Sequence, residues 1–209
     1  VLLAAYMLVR TRIAVGSQME VDTWELTLYQ KMEFSEDDIL RSLTSANVIG
    51  TGSSGVVYRV TIPNGETLAV KKMWSSDESR AFTSEIQTLG SIRHKNIVRL
   101  LGWGSNQTLK LLFYDYLPNG SLSSLLHGAG KGAAEWETRY EVILGVAHAL
   151  AYLHHDCVPP IMHGDVKAMN VLLGPRMEHY LADFGLARLV NGQSDSDMLR
   201  QKSQRPPLA

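Results

Sequence analysis

Four polar residues in the second half of the chain have the types and spacing of a site for phosphate chemistry: Asp165, Lys167, Asn170 and Asp183. A carboxylate such as Asp165 can orient a hydroxyl group and accept its proton. A lysine two residues later can neutralise charge on a phosphoryl group. Amide and carboxylate oxygens such as those of Asn170 and Asp183 suit Mg²⁺, which bridges phosphates. Each residue type is common in loops, so the prediction rests on the whole ordered set and on two motifs upstream.

The first upstream motif is a glycine-rich segment in which Gly50, Gly52 and Gly55 follow the pattern G-x-G-x-x-G-x-V. Glycine allows backbone N–H groups to approach phosphate oxygens without a Cβ in the way. In a dinucleotide-binding loop a helix would follow, whereas residues 56–60 here have the β-branched composition of a strand. We therefore predict a hairpin turn that covers phosphates, and the alternative is a glycine-rich hairpin without a ligand.

The second upstream motif pairs a lysine with a glutamate. Lys71 ends a strand-like run, and Glu85 lies three residues after Phe82 and four before Leu89, on the apolar stripe of a predicted helix. Because a buried carboxylate needs a cationic partner, we expect Lys71 to pair with Glu85 and to position phosphates. The alternative is a Glu85 that faces solvent at the edge of the stripe. Lys72 should point to the opposite face of the strand.

Hydrophobic patterning predicts a small antiparallel sheet with one helix, followed by helices. The predicted strands are residues 45–52, 55–62, 66–73, 97–103 and 109–116, and the predicted helices are residues 75–92, 122–127 and 136–155. Ser75 with Glu78 forms a capping box, Ser121 caps the second helix, and Ser35 caps a further short helix. One face of the last helix carries the following side chains: Tyr140, Ile143, Leu144, Ala147, Leu150 and Ala151.

Composition and charge narrow the class of protein. The chain has 209 residues, 45% of them hydrophobic and 20% charged, which fits one globular domain in two lobes. Its net charge of −1 and the lack of a basic block argue against a nucleic-acid partner. Residues 1–9 are apolar and precede Arg10 and Arg12. This order favours the end of a transmembrane helix with its cytoplasmic flank, and the alternative is a short buried helix. Cys157 is the single cysteine, so no internal disulfide can form.

Taken together, these motifs resemble the eukaryotic protein kinase family over residues 47–188. Finer segments are similar to plant leucine-rich-repeat receptor-like kinases, among them NVIGTGSSGVVYRV, RHKNIVRLLGW, YDYLPNGSL and DFGLAR. The resemblance implies an α+β, protein-kinase-like bilobal fold with a five-stranded antiparallel N-lobe sheet, one helix and an incomplete helical C-lobe. It divides the chain into a transmembrane remnant (1–9), a juxtamembrane segment (10–46), an N-lobe (47–117) and a partial C-lobe (118–209).

The resemblance also implies a role for each site residue. Asp165 would be the catalytic base and Lys167 its partner, a pattern that favours Ser/Thr over Tyr specificity, while Asn170 and Asp183 would bind Mg²⁺, with Mn²⁺ as an alternative ion. Lys71 and Glu85 would hold the phosphates of ATP beneath the glycine-rich loop. The adenine would contact Val57, Ala69, Tyr114 as gatekeeper, the Asp115 carbonyl, the Leu117 amide and Leu172. A regulatory apolar stack would contain Leu89, His163 and Phe184.

The function expected on this basis is Ser/Thr kinase activity at the plasma membrane, with ATP, a protein substrate and a co-receptor kinase as partners. The alternative is a truncated, inactive fragment that binds nucleotide or regulates other kinases. Two departures bear on this choice. Gly164 stands where the family usually has an arginine that pairs with a phosphorylated loop, and the sequence ends without an Ala-Pro-Glu motif. We therefore expect the apolar face of residues 136–155 to be partly exposed. Ser194, Ser196 and Ser203 are either phosphosites or plain solvated serines.

Overall fold

A computed structural model describes residues 9–11, 23–74, 79–127 and 135–190. The described strands of the largest sheet are β1 (Val9–Thr11), β2 (Glu25–Leu28), β3 (Val48–Thr51), β4 (Gly55–Thr61), β5 (Thr67–Met73), β6 (Leu100–Ser105) and β7 (Lys110–Asp115). The described α-helices are α1 (Glu36–Ser42), α2 (Ser79–Leu89), α3 (Leu122–His127) and α4 (Trp136–Ala151). Short strands complete the second half: β8 (Ile161–Met162), β9 (Val171–Leu173), β10 (His179–Leu181) and β11 (Arg188–Leu189).

The sheet is antiparallel in the order β1-β2-β6-β7-β5-β4-β3. Its last five strands are the five predicted ones, and β1 and β2 extend the sheet at one edge. The pattern of residues 10–46 did not indicate these additions, because β2 is short and buries only Thr27. The tight β4–β5 turn is explained by Asn64 and Gly65. Gly65 adopts a φ of +87°, which glycine tolerates without a steric penalty.

Helix α2 packs on the sheet in the half of the fold that carries the glycine-rich turn. It ends at Leu89, three residues before the predicted end, and the amide of Gly90 closes the helix on the Ile86 carbonyl at 2.9 Å. Ser35 caps α1 as expected, in a reciprocal capping box with Asp38. The predicted box of Ser75 and Glu78 lies outside the described residues, as do residues 1–8, the loop at 128–133 and the serines after residue 190.

Helix α4 ends at Ala151 and continues as one wider, π-helical turn, Tyr152–Asp156. It packs on the core through Val142, Gly145 and Ala149. The predicted apolar face of α4 is largely exposed, as expected: Tyr140, Ile143, Leu144, Ala147 and Ala151 are exposed and Leu150 is half-buried. In the part of the chain that the structure describes, no helix is both long enough and apolar enough to span a bilayer.

Candidate active site

The centre of the site is a buried ion pair between the sheet and α2. Lys71 lies on β5 and Glu85 on α2, and their side chains are 9% and 1% exposed. The Lys71 Nζ donates to the Glu85 carboxylate and also to Asp183 Oδ1, the latter at 2.9 Å. The predicted pairing is therefore confirmed, and the solvent-facing alternative for Glu85 is wrong. One lysine joins the N-lobe strand, the helix and the segment that carries Asp183.

The protonation of this pair follows from its burial. Burial alone would lower the pKa of Lys71, but attraction by Glu85 and Asp183 outweighs it and raises that pKa above its usual value. Burial raises the pKa of Glu85, since this carboxyl is fully enclosed and shares its lysine with a second carboxylate. Lys71 therefore stays charged at neutral pH.

Tyr114 adds a contact that the gatekeeper assignment did not include. Its buried hydroxyl donates to Glu85. Burial, followed by the negative charge of Glu85, raises the pKa of Tyr114 well above its usual value, so the hydroxyl remains a proton donor. The β5–β7 register explains the contact between Tyr114 and Glu85. Tyr114 lies opposite Ala69, and Ala69 is two residues before Lys71 and so on the same face of β5.

Replacing Tyr114 with phenylalanine should lower the free energy of unfolding by about 2 kcal/mol, because a buried carboxylate loses one hydrogen bond. Urea unfolding of wild type and variant measures the difference. The matched control is Tyr140→Phe, since Tyr140 is exposed. Equal stability of the two variants would contradict the assigned contact.

Asp165 contacts both other members of a second hydrogen-bonded group, Lys167 and Asn170. Its Oδ2 lies 2.6 Å from Lys167 Nζ and accepts from Asn170 Nδ2 at 2.9 Å, and the same amide group also donates to the Asp165 carbonyl. The hydrogen bond from Lys167 lowers the pKa of Asp165 below its usual range, so the carboxylate is ionised at neutral pH. The structure thus brings Asp165, Lys167 and Asn170 together, as the spacing predicted.

The backbone links this group to Asp183. The Asn170 carbonyl accepts from the Ala182 amide at 2.8 Å, which holds the two cation-ligand candidates on adjacent segments. His163 supports the same junction: its Nε2 donates to the Ala182 carbonyl at 3.1 Å, and its Nδ1 accepts from the Asp165 amide at 3.3 Å. Burial lowers the pKa of His163, which fits a neutral ring with one donor and one acceptor nitrogen. His163 also packs edge-to-face on Phe184 at 4.5 Å.

The carboxylate of Asp183 and the amide oxygen of Asn170 are donor types that could hold Mg²⁺. Among residues 23–74, 79–127 and 135–190, no three His, Cys, Asp or Glu side chains form a metal-sized cluster. Mg²⁺ is commonly held through one or two carboxylates together with substrate phosphates. In such a site Asp183 would supply a carboxylate and Asn170 an amide oxygen. Asp183 has a φ of +63°, an uncommon conformation for a residue other than glycine.

The glycine-rich turn has room for a ligand at two of its three glycines. An ideal Cβ on Gly50 or Gly52 would meet no atom within 4 Å, whereas one on Gly55 would lie 2.3 Å from the Lys72 carbonyl oxygen. Gly55 is therefore required by the sheet, and Gly50 and Gly52 border open space. The Trp74 indole N–H donates to the Gly52 carbonyl at 2.8 Å, a tether that sequence patterning missed because no periodicity marks it.

Five of the side chains expected around an adenine belong to or border one buried cluster. Ala69 and Tyr114 belong to the main buried cluster, and Val57, Leu117 and Leu172 pack against it from partly buried positions. Asp115 ends β7 two residues before Leu117, and its carboxylate accepts from Arg99 Nε at 2.8 Å. These side chains lie on β4, β5, β7 and β9 and in the segment after β7.

A family profile described as "Protein kinase domain" matches residues 43–205. This chain belongs to the protein kinase family.

Two curated relatives from Arabidopsis thaliana match the whole chain. The leucine-rich repeat receptor-like serine/threonine-protein kinase RGI4 is 74% identical over 212 residues, and the LRR receptor-like serine/threonine-protein kinase RGI3 is 71% identical over 214 residues. The chain spans only 19% and 20% of their respective lengths. Among solved structures, the pseudokinase domain of BIR2, an immune regulator of the RLK/Pelle family, has a TM-score of 0.65 and 33% identity. That match covers 76% of this chain and 52% of the other.

Proposed function

We propose that this chain is the kinase region of a receptor-like serine/threonine kinase and transfers the γ-phosphoryl group of ATP to protein hydroxyl groups. The observation that carries the proposal is the continuous network from Glu85 through Lys71 to Asp183. Beside it lies the Asp165, Lys167 and Asn170 group. Similarity to two receptor-like serine/threonine kinases supports the same class of substrate.

Each side chain has a defined task in this proposal. Lys71, held by Glu85, binds phosphate oxygens, and the backbone of Gly50 and Gly52 covers them. Asp165 accepts a hydrogen bond from the acceptor hydroxyl and takes its proton. Lys167, half-exposed beside Asp165, offsets negative charge at the transferred group. Asn170 and Asp183 would hold Mg²⁺, which when bound neutralises the phosphate charge.

We further propose that the kinase region acts at the plasma membrane, with the segment before β1 as the end of a transmembrane helix and 10–46 as the juxtamembrane segment. Val9, the last residue of the predicted helix 1–9, begins β1 instead. The receptor-like names of the relatives support a membrane context. A co-receptor kinase and a protein substrate are the partners proposed on the same basis. Within the cytoplasmic part, 47–117 would form the N-lobe and 118–209 the C-lobe portion.

The second candidate function is regulation through unproductive nucleotide binding, which similarity to a pseudokinase domain favours. The test is transfer of labelled phosphate from ATP to a generic protein substrate, with Mg²⁺ and after Mg²⁺ chelation. We expect transfer that requires Mg²⁺. Nucleotide binding without any transfer would contradict the kinase proposal and support the regulatory one.

A further inference from the structure

Ser84 makes contacts that the site as described does not use. It lies on α2 directly before Glu85, yet its Oγ reaches the segment after Asp183. The Oγ lies 2.6 Å from the Ala187 carbonyl oxygen and 3.2 Å from the Phe184 carbonyl oxygen. A serine hydroxyl has one proton to donate, so the shorter contact to Ala187 is the principal hydrogen bond.

The two carbonyls that Ser84 contacts are the ends of one tight turn. The Ala187 amide donates to the Phe184 carbonyl at 3.0 Å, which closes residues 184–187 into a turn directly after Asp183. Gly185 within the turn lies close to α2: an ideal Cβ there would be 3.4 Å from Glu85 Oε1 and 3.5 Å from the Ala81 Cβ. The turn is therefore packed on the same helical face that presents Glu85.

The opposite side of the turn packs on the segment that carries Asp165. Gly164 has a φ of +83°, and an ideal Cβ on it would lie 2.7 Å from the Leu186 carbonyl oxygen. The turn thus contacts both α2 and Gly164, and Ser84 provides a side-chain hydrogen bond to it from the helix. Immediately before the turn, Asp183 adopts its uncommon φ of +63°. Such a conformation persists only where the surroundings determine it.

We propose that Ser84 is a positioning residue that joins α2 to the 184–187 turn and so keeps Asp183 on Lys71, in the orientation that binds a divalent cation. Ser84 itself touches neither nucleotide nor cation. The part that concerns the cation rests on the proposed nucleotide-binding function. As a consequence, the packing of the turn on α2 keeps Glu85 and Asp183 close to the lysine that they share. Gly164, which stands where the family usually has an arginine, allows the turn to approach from its other side.

The decisive variant is Ser84→Ala, which removes the hydroxyl and keeps a good helix former. Ser84→Thr restores a hydroxyl at the same position, and Thr83→Ala is the matched control because Thr83 is exposed on the same helix. Hydrogen exchange of the Ala187 amide in the 209-residue chain, without nucleotide, measures how stably the 184–187 turn is held. We expect about tenfold faster exchange in Ser84→Ala, the effect of losing one hydrogen bond, and recovery in Ser84→Thr.

The second readout is the affinity for ATP with Mg²⁺ and after chelation, measured by calorimetry. In Ser84→Ala the gain in affinity on adding Mg²⁺ should fall several-fold, while affinity without Mg²⁺ should match wild type because Lys71 is unchanged. An unchanged exchange rate at Ala187 in Ser84→Ala would overturn the proposal. Faster exchange in this variant would also overturn it if the gain in ATP affinity on adding Mg²⁺ were the same as in wild type. A wild-type chain that binds no nucleotide would instead overturn the proposed function, and the exchange comparison would still decide whether Ser84 holds the turn.

Discussion

Replacing Lys71 with methionine is expected to abolish measurable ATP–Mg²⁺ binding and to lower the free energy of unfolding by about 3 kcal/mol. The variant loses a cation that contacts both Glu85 and Asp183. Glu85 is then left almost fully buried without a charged partner, and removing one member of a buried pair is strongly destabilising.

The loss of stability in Lys71→Met should depend on pH in a defined direction. Burial already raises the pKa of Glu85, and removing Lys71 should raise it further. A carboxyl whose pKa is higher in the folded state binds more protons there, so its protonation stabilises the fold at low pH. This stabilisation is lost as pH rises through the folded-state pKa. The free energy of unfolding of Lys71→Met should therefore fall further below that of wild type at neutral pH than at acidic pH.

Urea unfolding at several pH values and calorimetry with ATP–Mg²⁺ measure both effects of Lys71→Met. Lys72→Met is the matched control: it makes the same chemical change at the next residue of β5, on the opposite face. It should retain nucleotide binding. Wild-type affinity in Lys71→Met would contradict the assignment of Lys71 as the phosphate ligand.

Replacing Asp165 with asparagine should reduce phosphoryl transfer by about 10²- to 10⁴-fold, the range for loss of a general base. Affinity for ATP–Mg²⁺ should change little, because Asp165 contacts Lys167 and Asn170 and is assigned to the acceptor hydroxyl. An asparagine oxygen can still accept from Asn170, so the local geometry has a replacement for one of the two contacts.

Transfer rates and nucleotide affinity measured on the same preparation of Asp165→Asn separate these effects. Asp156→Asn is the control, because Asp156 is exposed at the end of the turn after α4. Transfer that persists at the wild-type rate in Asp165→Asn would remove the role assigned to Asp165. A parallel loss of affinity would show that Asp165 supports binding and not only the proton transfer.

Some features of the site follow from local rules that can be applied to sequence alone. The pairing of Lys71 with Glu85 was predictable because helical spacing places Glu85 on a buried stripe and a buried carboxylate needs a cation. The strands on either side of Asn64 and Gly65 were predictable because that dipeptide favours a tight hairpin turn. In each case residues close in sequence, or one strong energetic requirement, determine the outcome.

Other features depend on contacts between distant parts of the chain. Ser84 meets Phe184 and Ala187 across about a hundred residues, and no pattern around Ser84 indicates them. Strand β2 pairs with β6, and its four residues are too few to indicate a strand by their own pattern. Sequence patterning reports which face of an element is apolar, but not which distant backbone will pack there.

The structure explains why a glycine occupies position 164. The sequence identified it as a departure at the position of an arginine that responds to phosphorylation. The structure gives it a φ of +83° and a close approach of the Leu186 carbonyl, so a side chain there would be strained. Glycine at this position thus serves the packing of the 184–187 turn.

Lys71, Asn170 and Asp183 are proposed to form one site for a nucleotide with Mg²⁺. Thermal unfolding of the 209-residue chain with ATP, in Mg²⁺ and in chelator, tests this proposal. At about 100 times the dissociation constant, ligand binding should raise Tm by several degrees. The rise should be larger with Mg²⁺, and Asp183→Asn should abolish the Mg²⁺-dependent part while Asp156→Asn retains it. No Mg²⁺-dependent rise in the wild type, or an undiminished one in Asp183→Asn, would contradict the proposal.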